Sequence, residues 1–394
     1  MEIRIPLEEL EQRKDKLQVQ MREQGIGGAL IVQRADLFYF SGTAQDAHLF
    51  IPAEGEAVLI VRRNLQRARS ESGLQQIDPF TGWDGLAKEI EGKAAPAAAI
   101  GMELDVLPVN FYRRYEKLLS PLPITDISPL IRSVRAVKSA YELSQLQQAA
   151  ALGEAVFKHA REICRAGMTE IELAAELELF ARKRGHQGAI RMRGFNQEMF
   201  FSHTMAGGGA AVPSFFNGPT GGSGLNSSYP QGAGTREIKQ KEPVLVDYVT
   251  VLNGYMVDQT RIFCPGQPSA KLMRAYETAL QIKKDLIAMG CAGSNGARLY
   301  QRAFEIASAA GLEDHFMGFE EKVSFIGHGV GLELDELPVI ARNYDFTLTE
   351  GMVFALEPKF VFTGEGAVGI EDTFVVRHHG LEQITRFDDA LQIV

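Results

Sequence analysis

The sequence is short of cysteine, of net positive charge and of long apolar runs, and each shortage removes a class of function. Its 394 residues hold three cysteines, Cys164, Cys264 and Cys291. An odd number, widely spaced and without a CxxC pair, excludes a disulfide framework or a zinc knuckle and predicts reduced, mostly structural thiols. No stretch approaches the roughly 18 uninterrupted apolar residues that a membrane span requires, so no membrane partner is expected. Lys and Arg number 41 against 50 Asp and Glu, a net charge of -9. That balance leaves nothing to neutralise a phosphate backbone, so nucleic acid is not an expected partner either. The segment Met1 to Gln12 is acidic and mixed, without the basic start and apolar run of a secretion signal, and a cytoplasmic address is expected.

What is present is enough for two cores. The chain exceeds the roughly 250 to 300 residues at which a single core stops growing. The first segment alternates helix and strand: an amphipathic helix over Leu7 to Glu23 stopped by Gly25, a strand at Ala29 to Val32, and two strands within His48 to Arg62 around Glu54-Gly55. A strand at Ala97 to Met102 and a helix at Val109 to Leu119 follow. It contains no dense cluster of candidate ligands. From Arg132 the texture changes, with capping boxes at Ser139 to Glu142 and Thr169 to Glu172 opening two helices in tandem. A Gly/Ser-rich tract, Gly207 to Gly234, leads to strands, then to a helix over Ser269 to Gly290, another ending near Gly311, and strands around Glu357 and Glu371. The order helix, helix, strands thus occurs twice and hints at an internal duplication.

The chemistry concentrates in acidic residues set inside apolar runs. In VLVDYVTVLNGYMVDQTRIFC, Val244 to Cys264, Asn253-Gly254 is the preferred type I′ hairpin turn. A two-residue loop pairs 252 with 255 and 249 with 258, which makes Asp247 and Asp258 diagonal neighbours on one face. Diagonal positions lie roughly 7 to 8 Å apart at the backbone, so the carboxylates can converge on ions about 3.5 to 4 Å apart. A lone Asp in a strand ordinarily faces solvent, but both of these follow apolar residues in segments where Asp is disfavoured unless something holds it. His328 stands among glycines in Gly327 to Gly331, where backbones can approach closely. Glu357 and Glu371 lie in the apolar runs MVFALEP and AVGIEDTFVV. Buried carboxylates cost several kcal/mol unless paired or metal-bound, and only Arg261 and Lys359 are close in sequence as counter-charges. Divalent ions would supply the missing positive charge.

These segments resemble the pita-bread family that includes methionine aminopeptidase, prolidase, Xaa-Pro aminopeptidase and creatinase. The resemblance covers nearly the whole chain: IRSVRAVKSAYELSQLQQAA and RAGMTEIELAAELE at the entry to the catalytic domain, NGYMVDQTR in the hairpin, GHGVGLELDELP, EGMVFALEP and GIEDTFVV. It implies an α/β creatinase-type N-terminal domain over residues 1–130 and an α+β pita-bread catalytic domain over 131–394. It further implies two divalent metal ions (Mn, Co, Zn or Fe), with Asp258 and Glu371 bridging, Asp247 chelating one and His328 with Glu357 binding the other. A metal-bridging water would attack the scissile bond of a small Xaa-Pro peptide while Glu357 carries its proton, in a homodimeric, cytoplasmic hydrolase.

Ser214 and Asp335 stand where catalytic members carry histidines, and Val249 where a glycine is common. Three readings follow. In the first the chain is an Xaa-Pro peptidase, with His203 approaching from a neighbouring strand to replace a lost donor. In the second it is a metal-assisted lyase or non-peptide hydrolase with Asp335 as base. In the third it is a binding homologue that has lost catalysis. The Gly207 to Gly234 tract, with Phe215, Phe216 and Tyr229, is a candidate lid.

Overall fold

Helix-and-strand alternation in the first segment requires a sheet covered by helices, and the computed structural model has one. The structure describes residues 4–95 and 98–394 and divides into two units between Arg135 and Ala136. The first unit runs α1 (Leu7–Glu23), β1 (Ile26–Ile31), α2 (Arg34–Ser41), β2 (Ala47–Pro52), β3 (Val58–Val61), α3 (Leu65–Glu71), β4 (Gln76–Pro79), α4 (Trp83–Lys93), β5 (Ala99–Met102), α5 (Val109–Leu119), β6 (Ile124–Asp126) and α6 (Ser128–Ala136). Its six-stranded sheet has the order β4-β3-β2-β1-β5-β6, antiparallel through β1, β2 and β3 and parallel at the outer pairs. Leu30, Phe50, Ile100 and Met102 share one buried cluster in this unit. The expected strand at Ala97 to Met102 begins at Ala99, and Ala97 lies outside the described residues.

In the second unit α7 (Ala140–Ile163) and α8 (Glu170–Arg182) begin at complete capping boxes, Ser139 with Glu142 and Thr169 with Glu172. Each cap satisfies two backbone N–H groups that a helix start otherwise leaves open. The unit continues through β7 (Ser202–Ala206), β8 (Val244–Leu252), β9 (Tyr255–Cys264), α9 (Ala270–Met289), α10 (Gly296–Ala309), β10 (Phe325–Gly329), β11 (Glu336–Ala341), β12 (Val353–Leu356), β13 (Lys359–Phe362), β14 (Gly366–Gly369), β15 (Asp372–Arg377), β16 (Gly380–Gln383) and β17 (Gln392–Ile393). A helix pair followed by strands therefore occurs twice.

The strands form a four-stranded sheet, β17-β9-β8-β7, a five-stranded sheet, β11-β10-β12-β15-β16, and the β13-β14 ribbon. The two larger sheets meet at a bridge between Thr260 and Glu371. Asp258 N–H donates to Thr373 Oγ1, whose hydroxyl donates back to the Asp258 carbonyl. These contacts tie the hairpin to the segment carrying the last glutamate. Among the described residues no helix is long and apolar enough to cross a membrane. Burial pushes the Cys164 thiol up to about 12 and that of Cys264 up to about 11, as expected of inert structural cysteines.

Candidate functional site

The hairpin is set by its turn. Asn253 and Gly254 have φ of 53° and 88°, the positive pair a type I′ turn requires. Leu252 pairs with Tyr255 and Val249 with Asp258, so Asp247 and Asp258 are diagonal neighbours on one face, both buried. On the other side of β8, His203 of β7 pairs with Asp247, which puts its side chain on that face too. His328, on β10, pairs with Val339 and Ala355. The flanking glycines are there for close approach: an added Cβ would lie 2.5 Å from the Ala355 carbonyl oxygen at Gly327 and 2.2 Å from that of Leu337 at Gly329. Glu357 follows β12 directly, and Glu371 precedes β15.

All five expected ligands converge. Three carboxylate oxygens face His328 Nε2: Asp258 Oδ2 at 3.9 Å, Glu357 Oε1 at 3.8 Å and Glu371 Oε1 at 3.8 Å. His328 Nδ1 donates to the Leu334 carbonyl at 2.7 Å. That bond commits the ring's proton to Nδ1 and turns the Nε2 lone pair toward the carboxylates, the orientation of a metal-ligating imidazole. Glu371 Oε1 is buried without a hydrogen-bond partner among the described residues. One ligand atom each from Asp258, His328 and Glu371 lies within 4.8 Å of the others. These atoms could hold a metal ion.

A sixth residue completes the cluster. The Lys359 side chain, 1% exposed, places Nζ 2.9 Å from Asp247 Oδ2, 2.8 Å from Glu357 Oε2 and 2.8 Å from Glu371 Oε2. Thr260 Oγ1 donates to the same Glu371 oxygen at 2.8 Å. Arg261, the other cation near in sequence, turns away to Asp372 and Asp389, each at 3.0 Å. The sequence-based charge count, which looked to metal ions for all of the missing positive charge, is therefore incomplete: lysine supplies part of it. A signal was available, because Glu357 and Lys359 are two apart in an extended segment and alternate residues share a face.

The electrostatics follow from crowding negative charge out of water. Burial, then the Glu371 and Asp247 charges, drive Asp258 well above the ordinary carboxylate range. Burial pushes Glu371 up to about 8 against the pull of Lys359. Burial also opposes ionisation of Asp247, but the Lys359 charge wins and holds it below its usual value. Burial works against the Lys359 ammonium, yet Asp247, Glu357 and Glu371 keep its pKa well above that of an ordinary lysine. Without a further cation, protons are what this cluster recruits.

The carboxylates form the floor of a cavity of about 320 Å³, walled by Met192, Phe195, Met199, Phe216 and Leu334 with His203 and Asp335. That volume is at the lower end of the range for small-molecule sites. His203 Nε2 lies 3.2 Å from Gln231 Oε1, and Gln231 Nε2 donates to the Glu198 carbonyl. The imidazole thus donates to Gln231 and keeps Nδ1 as an acceptor, while burial holds its pKa below 6.5. Asp335 accepts from the backbone N–H groups of Arg193 and Gly194, both at 2.7 Å, one on each oxygen. It ties the 191–194 segment to the cavity wall. Ser214 bonds the Pro230 carbonyl and lines a neighbouring cavity instead. From the Gly207 to Gly234 tract, Phe216 to Thr220 reach this cavity, and the Phe216 ring stands edge-on to His203 at 5.0 Å. Phe215 is 51% exposed.

An α/β domain precedes strands that gather buried carboxylates and a histidine around a small cavity, a donor set suited to a metal ion. The chain belongs to metallopeptidase family M24, whose model matches residues 144–378. A creatinase/prolidase N-terminal domain matches residues 13–137, so the expected fold class, a creatinase-type domain followed by a pita-bread domain, is the one present. A Xaa-Pro dipeptidase of Lactobacillus helveticus is 27% identical over 391 residues, covering 96% of this chain and 98% of the relative. A Xaa-Pro dipeptidase of Pyrococcus horikoshii is 25% identical over 374 residues, covering 94% and 96%. Among solved structures, the Xaa-Pro dipeptidase from Bacillus anthracis has a TM-score of 0.84 at 25% identity, covering 98% of this chain and all of that one.

Proposed function

We propose that this chain is a metal-dependent hydrolase of small Xaa-Pro peptides, with Asp258, His328, Glu357 and Glu371 as the residues that hold its ion. The observation that supports this most is the His328 imidazole, its Nδ1 proton given to Leu334 and its Nε2 facing three buried carboxylate oxygens at 3.8 to 3.9 Å. A lone pair pointed at three carboxylate oxygens calls for a metal ion or a proton between them. The donor set, oxygen-rich with one imidazole, accepts Mn, Co, Zn or Fe. A divalent ion held there supplies Lewis acidity, polarising a carbonyl and making water acidic enough to ionise near neutral pH.

The protein's own groups do the rest. Glu357, with Oε1 toward His328 and Oε2 on Lys359, is placed to take a proton from a nucleophile beside it and pass it to the departing amine. His203 offers Nδ1 as an acceptor that orients a substrate N–H. The apolar side chains of Met192, Phe195, Met199 and Phe216 line the cavity and offer a surface for the hydrophobic part of a short peptide. Asp335, which holds the backbone N–H groups of Arg193 and Gly194, shapes the wall in this reading. The N-terminal domain, residues 1–130 by the sequence reading, together with a homodimeric, cytoplasmic state, completes the proposal. The resemblance implied two ions bridged by the nucleophilic water, and Lys359 argues for one.

The test is a panel of Xaa-Pro dipeptides and longer peptides, offered to chelator-stripped protein resupplied with Mn, Co or Zn. Hydrolysis of an Xaa-Pro dipeptide that stops on chelation and returns with metal is the expected outcome. Protein that loads metal but cleaves no member of the panel refutes the peptidase reading. Light scattering on the same sample reads the oligomeric state.

A further inference from the structure

The carboxylate cluster has two halves that differ in what they lack. In one, every contact is made. Lys359 Nζ has three donors and three carboxylate oxygens at 2.8 to 2.9 Å, those of Asp247, Glu357 and Glu371. In the other, a histidine lone pair and an unpartnered, buried Glu371 Oε1 face each other at 3.8 Å. Glu357 and Glu371 each divide their oxygens the same way, Oε2 to the ammonium and Oε1 toward His328. That division is the one a pair of bridged cations would impose, with the ammonium as one member of the pair.

We propose that this chain carries a mononuclear centre, in which one divalent ion binds among Asp258, His328, Glu357 and Glu371 and the Lys359 ammonium occupies the place of a second ion beside Asp247. The inference rests on the metal-dependent reading above and specifies it. A metal ion would need an Asp247 oxygen at about 2.0 to 2.2 Å, and the ammonium, 2.9 Å from Oδ2, takes one lone pair of that oxygen and sets a positive charge beside it. The lysine is built in rather than free to withdraw. It opens β13, paired with Gly369 of β14. An added Cβ on Gly369 would lie 2.7 Å from Lys359 Cγ, so the stem runs through space that only a glycine leaves. Its backbone is held on the other side by Met317, whose N–H donates to the Lys359 carbonyl at 2.9 Å. Formal charges agree: four carboxylates and one ammonium leave a deficit that one divalent ion reduces to a single negative charge.

The experiment reads metal content, not turnover. Intact protein is reconstituted with Mn(II), dialysed against metal-free buffer and measured by plasma mass spectrometry, with electron paramagnetic resonance of the bound ion. The wild type is expected to hold about one ion per chain, with the spectrum of isolated rather than spin-coupled Mn(II). Lys359→Gly is expected to hold about twice as much and to show coupling. A wild type with two ions per chain overturns the inference and leaves the metal-dependent reading standing. A wild type that retains no Mn overturns the inference, and one that also retains neither Co nor Zn after the same reconstitution overturns the metal-dependent reading with it. Lys359→Gly that folds and still holds one ion shows that the lysine does not take an ion's place. Should that variant fail to fold, Mn anomalous diffraction from wild-type crystals decides alone: one peak beside His328 Nε2 supports the inference, and a second peak against Asp247 rejects it.

Discussion

Replacing Lys359 by methionine tests whether the ammonium is a structural counter-charge. Methionine keeps most of the stem's volume and removes the charge, so packing changes little. What is lost is three ion pairs at 2.8 to 2.9 Å to a side chain 1% exposed. Removing one partner of a buried ion pair costs about 3 to 5 kcal/mol, because the remaining charge stays out of water without compensation. Asp247 and Glu357 would be left in that state, whereas Glu371, pushed up to about 8 by burial, is largely protonated at pH 7. For a unit of this size each kcal/mol moves the melting temperature by about 2 to 4 °C, so the expected drop is about 6 to 20 °C. The assay is scanning calorimetry of both proteins in chelator at pH 7, following the transition of the second unit. Recovery of part of the loss on adding Mn(II) is expected of the variant, since a bound ion restores positive charge to Glu357 and Glu371. A chelated variant within about 2 °C of the wild type refutes the reasoning, because it would mean these carboxylates bear no cost without their lysine.

Three further outcomes follow. His203→Ala should lower turnover of a cleaved dipeptide by about tenfold or more with metal content unchanged; unchanged turnover removes His203 from the cavity's chemistry. Asp335→Ala should loosen the 191–194 segment, which keeps the Leu334 N–H to Arg191 carbonyl bond, raising KM several-fold with kcat and metal content nearly preserved, whereas a collapse of kcat at constant KM would make Asp335 a proton-transfer group after all. In the first unit burial lowers the His48 pKa from 6.5 to about 4, with Nε2 on the Tyr115 hydroxyl at 2.9 Å. A depressed folded value means that the unfolded chain binds more protons between those limits, so the stabilising effect is complete above 6.5 and disappears as pH falls through 4. The difference corresponds to about 3 kcal/mol. His48→Gln should therefore approach the wild type in stability as pH falls from 7 to 4 in urea titrations, and parallel curves would contradict this.

Much of the architecture was legible in the residues because its causes are local. Helices α1 and α5 span the residues expected of them, α7 and α8 begin at their capping boxes, and the Asn253-Gly254 turn set the hairpin register that places Asp247 diagonal to Asp258. Short helices such as α2 and α3 carry too few turns to show a periodicity and went unread. The convergence of all five acidic and histidine residues could be anticipated because charged groups inside apolar runs need a common neutralising partner.

What that partner is depended on which strands meet. Capping, turn type and face alternation are determined by sterics and hydrogen bonds among residues a few positions apart, so the sequence carries them by itself. The neutralisation of Asp247 by Lys359, 112 positions away, the commitment of both Asp335 oxygens to backbone N–H groups and the seating of His203 on Gln231 are contacts between segments distant in the chain. Lys359 beside Glu357 could be read from their two-residue spacing, but a charge acts through space at a few ångströms and carries no sequence periodicity, so only the tertiary structure decided that the same ammonium also reaches Asp247 and Glu371.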